Sequence, residues 1–234
     1  MKRSILKHKF SVLIFMVLIS AVGFYSCNKT SPVTSQADNL SFSAMSSADS
    51  VGDAQNIIIL DTVKILIKDI KLDVADNHQD SSDFKIGPFI LFLNLTSSIN
   101  TISSAIIPYG DYEHVKFEVH KLNDNEAVPD PEFTDINGTY SVIVKGWYLG
   151  NYFVYKSTKS AHQILQFPGT ISITAAYMSN ITMIVRPYIW FIKDGAYLDP
   201  NNPANSNDID NNIKNNINHN FKAFKDDDRN GVPD

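Results

Sequence analysis

From Glu113 to Leu122 the chain reads EHVKFEVHKL, and its centre alternates: Val115, Phe117 and Val119 take one side, and His114, Lys116, Glu118 and His120 the other. Successive side chains of an extended chain point to opposite faces, so a period of two predicts a half-buried strand. The signature spreads outward from there. Thr62 to Leu72 sets Val63, Ile65 and Ile67 against Lys64 and Lys68, and Phe89 to Leu95 follows Gly87-Pro88 as a shorter strand. Tyr140 to Tyr148 and Tyr152 to Tyr155 flank Leu149-Gly150-Asn151, which reads as a hairpin. Ile171 to Ala175 and Asn180 to Ile192 add two more strands, the last demoted by Pro187 to an edge or a bulge. About seven to nine short strands with Gly, Pro and Asn punctuation, and no helical stretch between them, predict a mainly β chain. The expected architecture is an antiparallel β-sandwich over residues 57–197.

Composition bounds the function. The 234 residues are 44% hydrophobic and 19% charged, which excludes a disordered chain and a multi-span membrane protein. A net charge of −5 leaves no basic excess to neutralise phosphates, so nucleic acid is not an expected partner. A single cysteine, Cys27, excludes an intramolecular disulfide framework and a multi-cysteine zinc site.

The first 26 residues read as a targeting segment. Lys2, Arg3, Lys7 and Lys9 precede the apolar run Phe10 to Tyr25, about 16 residues long. A bilayer-spanning helix needs roughly 20, so the run fits a signal-peptide core better than a membrane span. It ends in Ser26-Cys27, which resembles the lipobox of bacterial lipoproteins in the relaxed form found among Bacteroidetes; Phe24 and Tyr25 depart from the usual choices. The resemblance implies that Cys27 is acylated and becomes the first residue of a chain anchored to the bacterial envelope, at the outer membrane. Residues 27–56 are rich in Ser, Thr, Ala and Asp around isolated Leu40, Phe42 and Met45, and are expected to form a flexible tether.

The C-terminal part, 198–234, changes character. Ile209, Ile213, Ile217, Phe221 and Phe224 recur three or four apart, as on one face of an amphipathic helix that packs its stripe on the sandwich. Asn207 with Asp210 resembles a capping arrangement at its start. The chain closes on DDDRNGVPD, which matches D-x-D-x-N-G-x-x-D, the opening of a calcium loop. Calcium needs hard oxygen ligands on alternate residues, a glycine for the sharp turn and a backbone carbonyl at the seventh position. Asp226, Asp228, Asn230 and the Val232 carbonyl fill those places, and Asp234 adds a carboxylate at the ninth. A solvated acidic tail, or a helix stop at Gly231, competes with that reading.

VKILIKDIKL (63–72), IPYGDYEHVKFEVHKL (107–122), YSVIVKGWYLGNYFVYKS (140–157) and FKAFKDDDRNGVPD (221–234) resemble a group of bacterial lipoproteins of unknown function. The resemblance implies a transthyretin-like or prealbumin-like sandwich, within the broader immunoglobulin-like class, and carries no activity. No nucleophile elbow, zinc-binding helix motif or phosphate loop is present, so the expectation is a non-catalytic envelope lipoprotein, a tethered binding or structural module. Trp147, Tyr148 and Trp190 stand in aromatic clusters that would suit a carbohydrate-binding module, although strands also favour aromatics for packing. An adhesin or pilus-like subunit that donates strands is the further alternative.

Overall fold

The structure is a computed structural model and describes residues 37–47, 57–74, 84–96, 98–123, 126–127 and 129–234. The signal segment, Cys27 and most of the expected tether lie outside these residues. In chain order the strands are β1 (Leu40–Ser46), β2 (Ile58–Val74), β3 (Phe84–Ile86), β4 (Phe89–Phe92), β5 (Asn100–Ala105), β6 (Gly110–Val119), β7 (Thr134–Asp135) and β8 (Gly138–Thr139). They continue as β9 (Val142–Tyr148), β10 (Asn151–Ser157), β11 (Ala161–Ile173), β12 (Ser179–Val185), β13 (Ile192–Lys193) and β14 (Ala196–Tyr197). The helix α1 (Ser206–His219) and β15 (Lys222–Lys225) complete the fold.

A four-stranded sheet in the order β15-β12-β1-β5 faces a seven-stranded one in the order β10-β9-β2-β6-β11, with β3 and β4 also paired to β2. The expected β-sandwich is therefore present. Strand β2 explains how one strand serves so many partners. Its residues in the main core run Ile58, Leu60, Val63, Ile65, Ile67, Ile70 and Leu72, a period of two broken by two steps of three. Each step of three coincides with a register shift, between Leu60 and Thr62 and between Ile67 and Asp69. A bulge inserts one residue and re-phases the side chains, so both halves of the strand keep an apolar face toward one core. Ile58–Ile65 pair with β9, and Ile67–Val74 with β6.

Four expectations are corrected. Leu40–Ser46 is a central strand and no tether: Leu40, Phe42 and Ala44 enter the core, and Ser41 and Ser43 on the opposite face are equally buried. The sandwich is not wholly antiparallel, because β1 runs parallel to β12 over seven residue pairs. Strand β12 is interior; it stops at Val185, and Pro187 opens a 3-10 turn, Pro187–Phe191, where its fixed φ is suited. Helix α1 starts one residue before Asn207, with no side-chain cap at Asn205, and Asp210 instead accepts from Tyr155 Oη at 2.9 Å.

The apolar stripe packs inward as expected, with Ile209, Ile213 and Ile217 fully buried. It leaves the helix before it ends: Phe221 stacks on Phe117 at 5.3 Å between ring centres, and Phe224 belongs to β15. The helix asparagines are not filler. Asn212 Nδ2 donates to the Trp190 and Ile192 carbonyls, and Asn216 Oδ1 accepts from Trp190 Nε1 at 2.7 Å.

On the outer face of the seven-stranded sheet, Leu66, Leu122, Phe133, Tyr140 and Ile143 form a second small core. The segment bearing Phe133 is pinned by lysines of the sheet: Lys64 to Asp130 and Glu132, Lys145 to Glu132, and Lys156 to Asp135 at 2.7 Å. The lysine hydrogen bonds hold Asp130 and Glu132 below the usual carboxylate range; Lys156, the Asn137 N–H and Tyr140 bring Asp135 to about 2. Carboxyls depressed in the folded state stabilise it above their unfolded values and lose that contribution as pH falls through the folded ones. The melting temperature is expected to be level from pH 8 to 5 and to fall between about pH 4 and 2. A melting temperature unchanged down to pH 2.5 would show that these pairs contribute nothing.

Candidate functional site

The acidic C-terminal loop lies over β12 and β1. Strand β15 pairs with the edge of β12 and delivers Asp226, whose N–H donates to the Asn180 carbonyl at 2.9 Å. Asp226 is fully buried, and a buried carboxylate requires donors. It has three: Thr182 Oγ1 at 2.6 Å, the Asn230 N–H at 2.9 Å and the Gly231 N–H at 3.2 Å. Closing the loop so tightly requires Arg229 at φ 55° and Gly231 at φ 82°. At Gly231 a side chain would be strained, and its Cβ would also sit 3.1 Å from Met45 Sδ on β1.

Further along, Asn230 Nδ2 donates to Asp228 Oδ2 at 2.8 Å, and the Val232 N–H donates to Asn230 Oδ1 at 2.7 Å. Asp234 accepts from the Asp227 N–H at 2.8 Å and from Lys225 Nζ at 3.1 Å, and Lys225 also pairs with Asp227. The Asp227 N–H, seconded by Lys225, keeps the Asp234 carboxyl below its ordinary range. Lys225 is held above its own range: partial burial pulls it down, and its hydrogen bonds to Asp227 and Asp234 outweigh that.

One carboxylate oxygen each from Asp226, Asp228 and Asp234 lies within 4.8 Å of the others. The spacing in the sequence thus brings three of the five expected ligands together. Asn230 and Val232 belong to the same loop, where the asparagine oxygen is engaged by the Val232 N–H and the valine side chain is exposed. Three hard, anionic oxygens on a glycine-turned loop suit calcium chemically, with Lys225 as the resident competing cation.

A network missed in the sequence lies under the loop. Ser41 and Ser43 of β1 donate to Asn180 Oδ1 at 2.7 and 2.8 Å, and Asn180 Nδ2 donates to Thr182 Oγ1 and the Asp226 carbonyl. Arg229 Nη2 completes it on Ser41 Oγ at 3.1 Å. The chain's first described strand and its last nine residues are therefore held by one set of polar groups, buried except for Arg229.

The aromatic candidates separate. Trp190 is fully buried in the 3-10 turn with its N–H on Asn216, so it offers no surface to a ligand, contrary to expectation. It sits in the turn that Pro187 opens, not in a strand as the sequence suggested. Tyr148 is half-buried against the core. Trp147 is exposed beside Tyr152, ring centres 5.4 Å apart and planes at 66°, so the two do not form one flat stacking surface. His162 and His219, far apart in the chain, line one open groove with Gln163, Ile164 and Asn218. No helix of the described residues is long and apolar enough to cross a membrane.

No protein-family model, curated protein or solved structure matches the chain. Its function is read from its own residues.

Proposed function

We propose that the protein is a non-catalytic lipoprotein of the bacterial envelope, held at the outer membrane by acyl chains on Cys27. Its β-sandwich serves as a binding or structural module whose C-terminal loop takes calcium. The observation that carries the calcium reading is the convergence of Asp226, Asp228 and Asp234, with Asp226 fully buried beneath the other two. A divalent cation there would relieve the mutual repulsion of three carboxylates and take the place of Lys225 Nζ on Asp234. The anchor reading rests on the signal-like segment ending in Ser26-Cys27. Each buried methylene of an acyl chain contributes about 0.8 kcal/mol, and more than one chain is needed for firm attachment.

Native intact mass of the protein released from membranes tests both halves. The expected species begins at an acylated Cys27 and gains one calcium that the Asp228→Ala variant does not gain. With a dissociation constant of roughly 0.1 to 1 mM, 10 mM calcium adds about 1.4 to 2.7 kcal/mol of stability. A chain still carrying Met1 to Ser26 removes the anchor. Equal calcium uptake by wild type and variant removes the metal site.

A further inference from the structure

The turn joining β9 to β10 decides which way the last strand of the seven-stranded sheet presents its backbone. Leu149 at φ 48° and Gly150 at φ 78° occupy both central positions, and Tyr148 pairs with Asn151, the geometry of a type I′ hairpin. In such a hairpin the residues flanking the turn exchange both hydrogen bonds, and the pattern alternates along the ladder. Asn151, Phe153, Tyr155 and Ser157 therefore turn their N–H and C=O groups toward β9. Tyr152, Val154 and Lys156 turn theirs away, at the end of the sheet order. Among the described residues no backbone hydrogen bond reaches those three from beyond the sheet.

The side chains repeat the pattern. Phe153 and Tyr155 are buried, whereas Tyr152 and Val154 are 51% and 48% exposed. Trp147 and Ile59, the next cross-strand neighbours of Tyr152, extend the exposed apolar row across β9 and β2. Edge strands are usually blunted by charge, proline, a bulge or a cover. The opposite edge, β11, has a register shift between Gln166 and Ile171, Pro168 within it, and Asn218 Oδ1 capping the His162 N–H at 3.1 Å. Strand β10 has no proline and no bulge. Its single charge, Lys156, is drawn aside onto Asp135 and the Tyr140 ring.

We propose that β10 pairs antiparallel with β10 of a second copy about a two-fold axis through Val154, joining two seven-stranded sheets into one. The occupant is a strand because the vacant groups are a strand's. It is a second copy because the edge complements itself. Centred on Val154, the pairing sets valine against valine and Tyr152 against the partner's Lys156, and the free groups of all three residues on each strand are used. Centring it on Lys156 would oppose two ammonium groups; centring it on Tyr152 would leave Lys156 unpaired. A two-fold contact uses both edges and stops at the dimer. The inference does not rest on the calcium loop, which lies on the four-stranded sheet.

Sedimentation equilibrium of the full-length chain in detergent, wild type against Val154→Lys, tests it. The variant places two like charges opposite each other on the axis while altering only an exposed side chain. It is expected to stay folded by circular dichroism and to weaken a wild-type dimer by about 100-fold or more. Amide exchange on the wild type gives the same answer without a substitution. The N–H groups of Tyr152, Val154 and Lys156 should be protected at high concentration and lose protection on dilution, while those of Phe153 and Tyr155 do not change. A wild-type monomer overturns the proposal, as does an open polymer or a dimer that Val154→Lys leaves intact.

Discussion

Replacing Asp226 by alanine is expected to lower stability by about 3 kcal/mol in urea unfolding and to release residues 227–234 to proteases. The carboxylate accepts the Gly231 N–H, shares the Asn230 N–H with Asp228, and takes the Thr182 hydroxyl as a donor at 2.6 Å. Hydrogen bonds to a charged acceptor contribute about 1.5–3 kcal/mol each, and stranded buried donors add their desolvation cost. The loss stays below the sum of three because the loop can let go and its N–H groups can reach water. The measurement belongs in a chelating buffer, so that the loss of a calcium ligand cannot imitate the loss of a hydrogen-bond acceptor. Asp226→Asn keeps the shape and one accepting oxygen, and should cost about half as much. A change below about 1 kcal/mol for alanine would mean that the tail is held by Arg229 and Lys225 instead.

Gly146→Ala is the second large expected effect, about 3 kcal/mol or more, although it adds a single methyl group. A Cβ at Gly146 would stand 2.1 Å from the Ile59 carbonyl oxygen and 3.1 Å from Leu60 Cα, backbone atoms that no rotamer change can move. Strands β2 and β9 would have to separate by about 1 Å beside the bulge at Leu60, and overpacking of that kind costs about 1–3 kcal/mol even where side chains can yield. Gly150→Ala supplies the contrast. Its φ of 78° makes alanine strained, but the space around it is open, so about 1 kcal/mol is expected. Thermal melts of the two variants should rank 146 far below 150; equal losses would mean that β2 and β9 are not held as closely as they stand.

Much of this could be read beforehand, and the parts that could not have physical reasons. The alternations at 113–122 and 140–155 became β6, β9 and β10 because one face of each meets a core and nothing local competes. In β2 the alternation at 62–72 was legible. Its bulges were not, since Leu66 is apolar too and only the pairing with β9 and β6 tells which residues face the main core. Leu40–Ser46 also alternates, Leu40, Phe42 and Ala44 against serines. A serine-rich face reads as solvent unless distant partners are known, and here those partners are Asn180 and Arg229. The carboxylate cluster was legible from spacing, since it is local. The burial of Asp226 was not, because it depends on β12 lying beneath it. The burial of Trp190 was hidden for a similar reason: it depends on helix α1, whose Asn216 takes the indole N–H.

The order in which the chain is made bears on the parallel pairing of β1 with β12. The residues that flank β1 in the sheet come about 60 and 140 positions later, and the arginine that covers it comes 188 positions later. A nascent chain emerging from its N-terminus would therefore carry Leu40, Phe42 and Ala44 without both of their flanking strands until β12 has appeared, some 140 positions later. Contacts so distant along the chain form slowly, because a very long loop must close before any of them is rewarded. The four-stranded sheet is thus completed only when β12 and β15 have arrived, and chains truncated before Ser179 should be unable to keep their first strand in place.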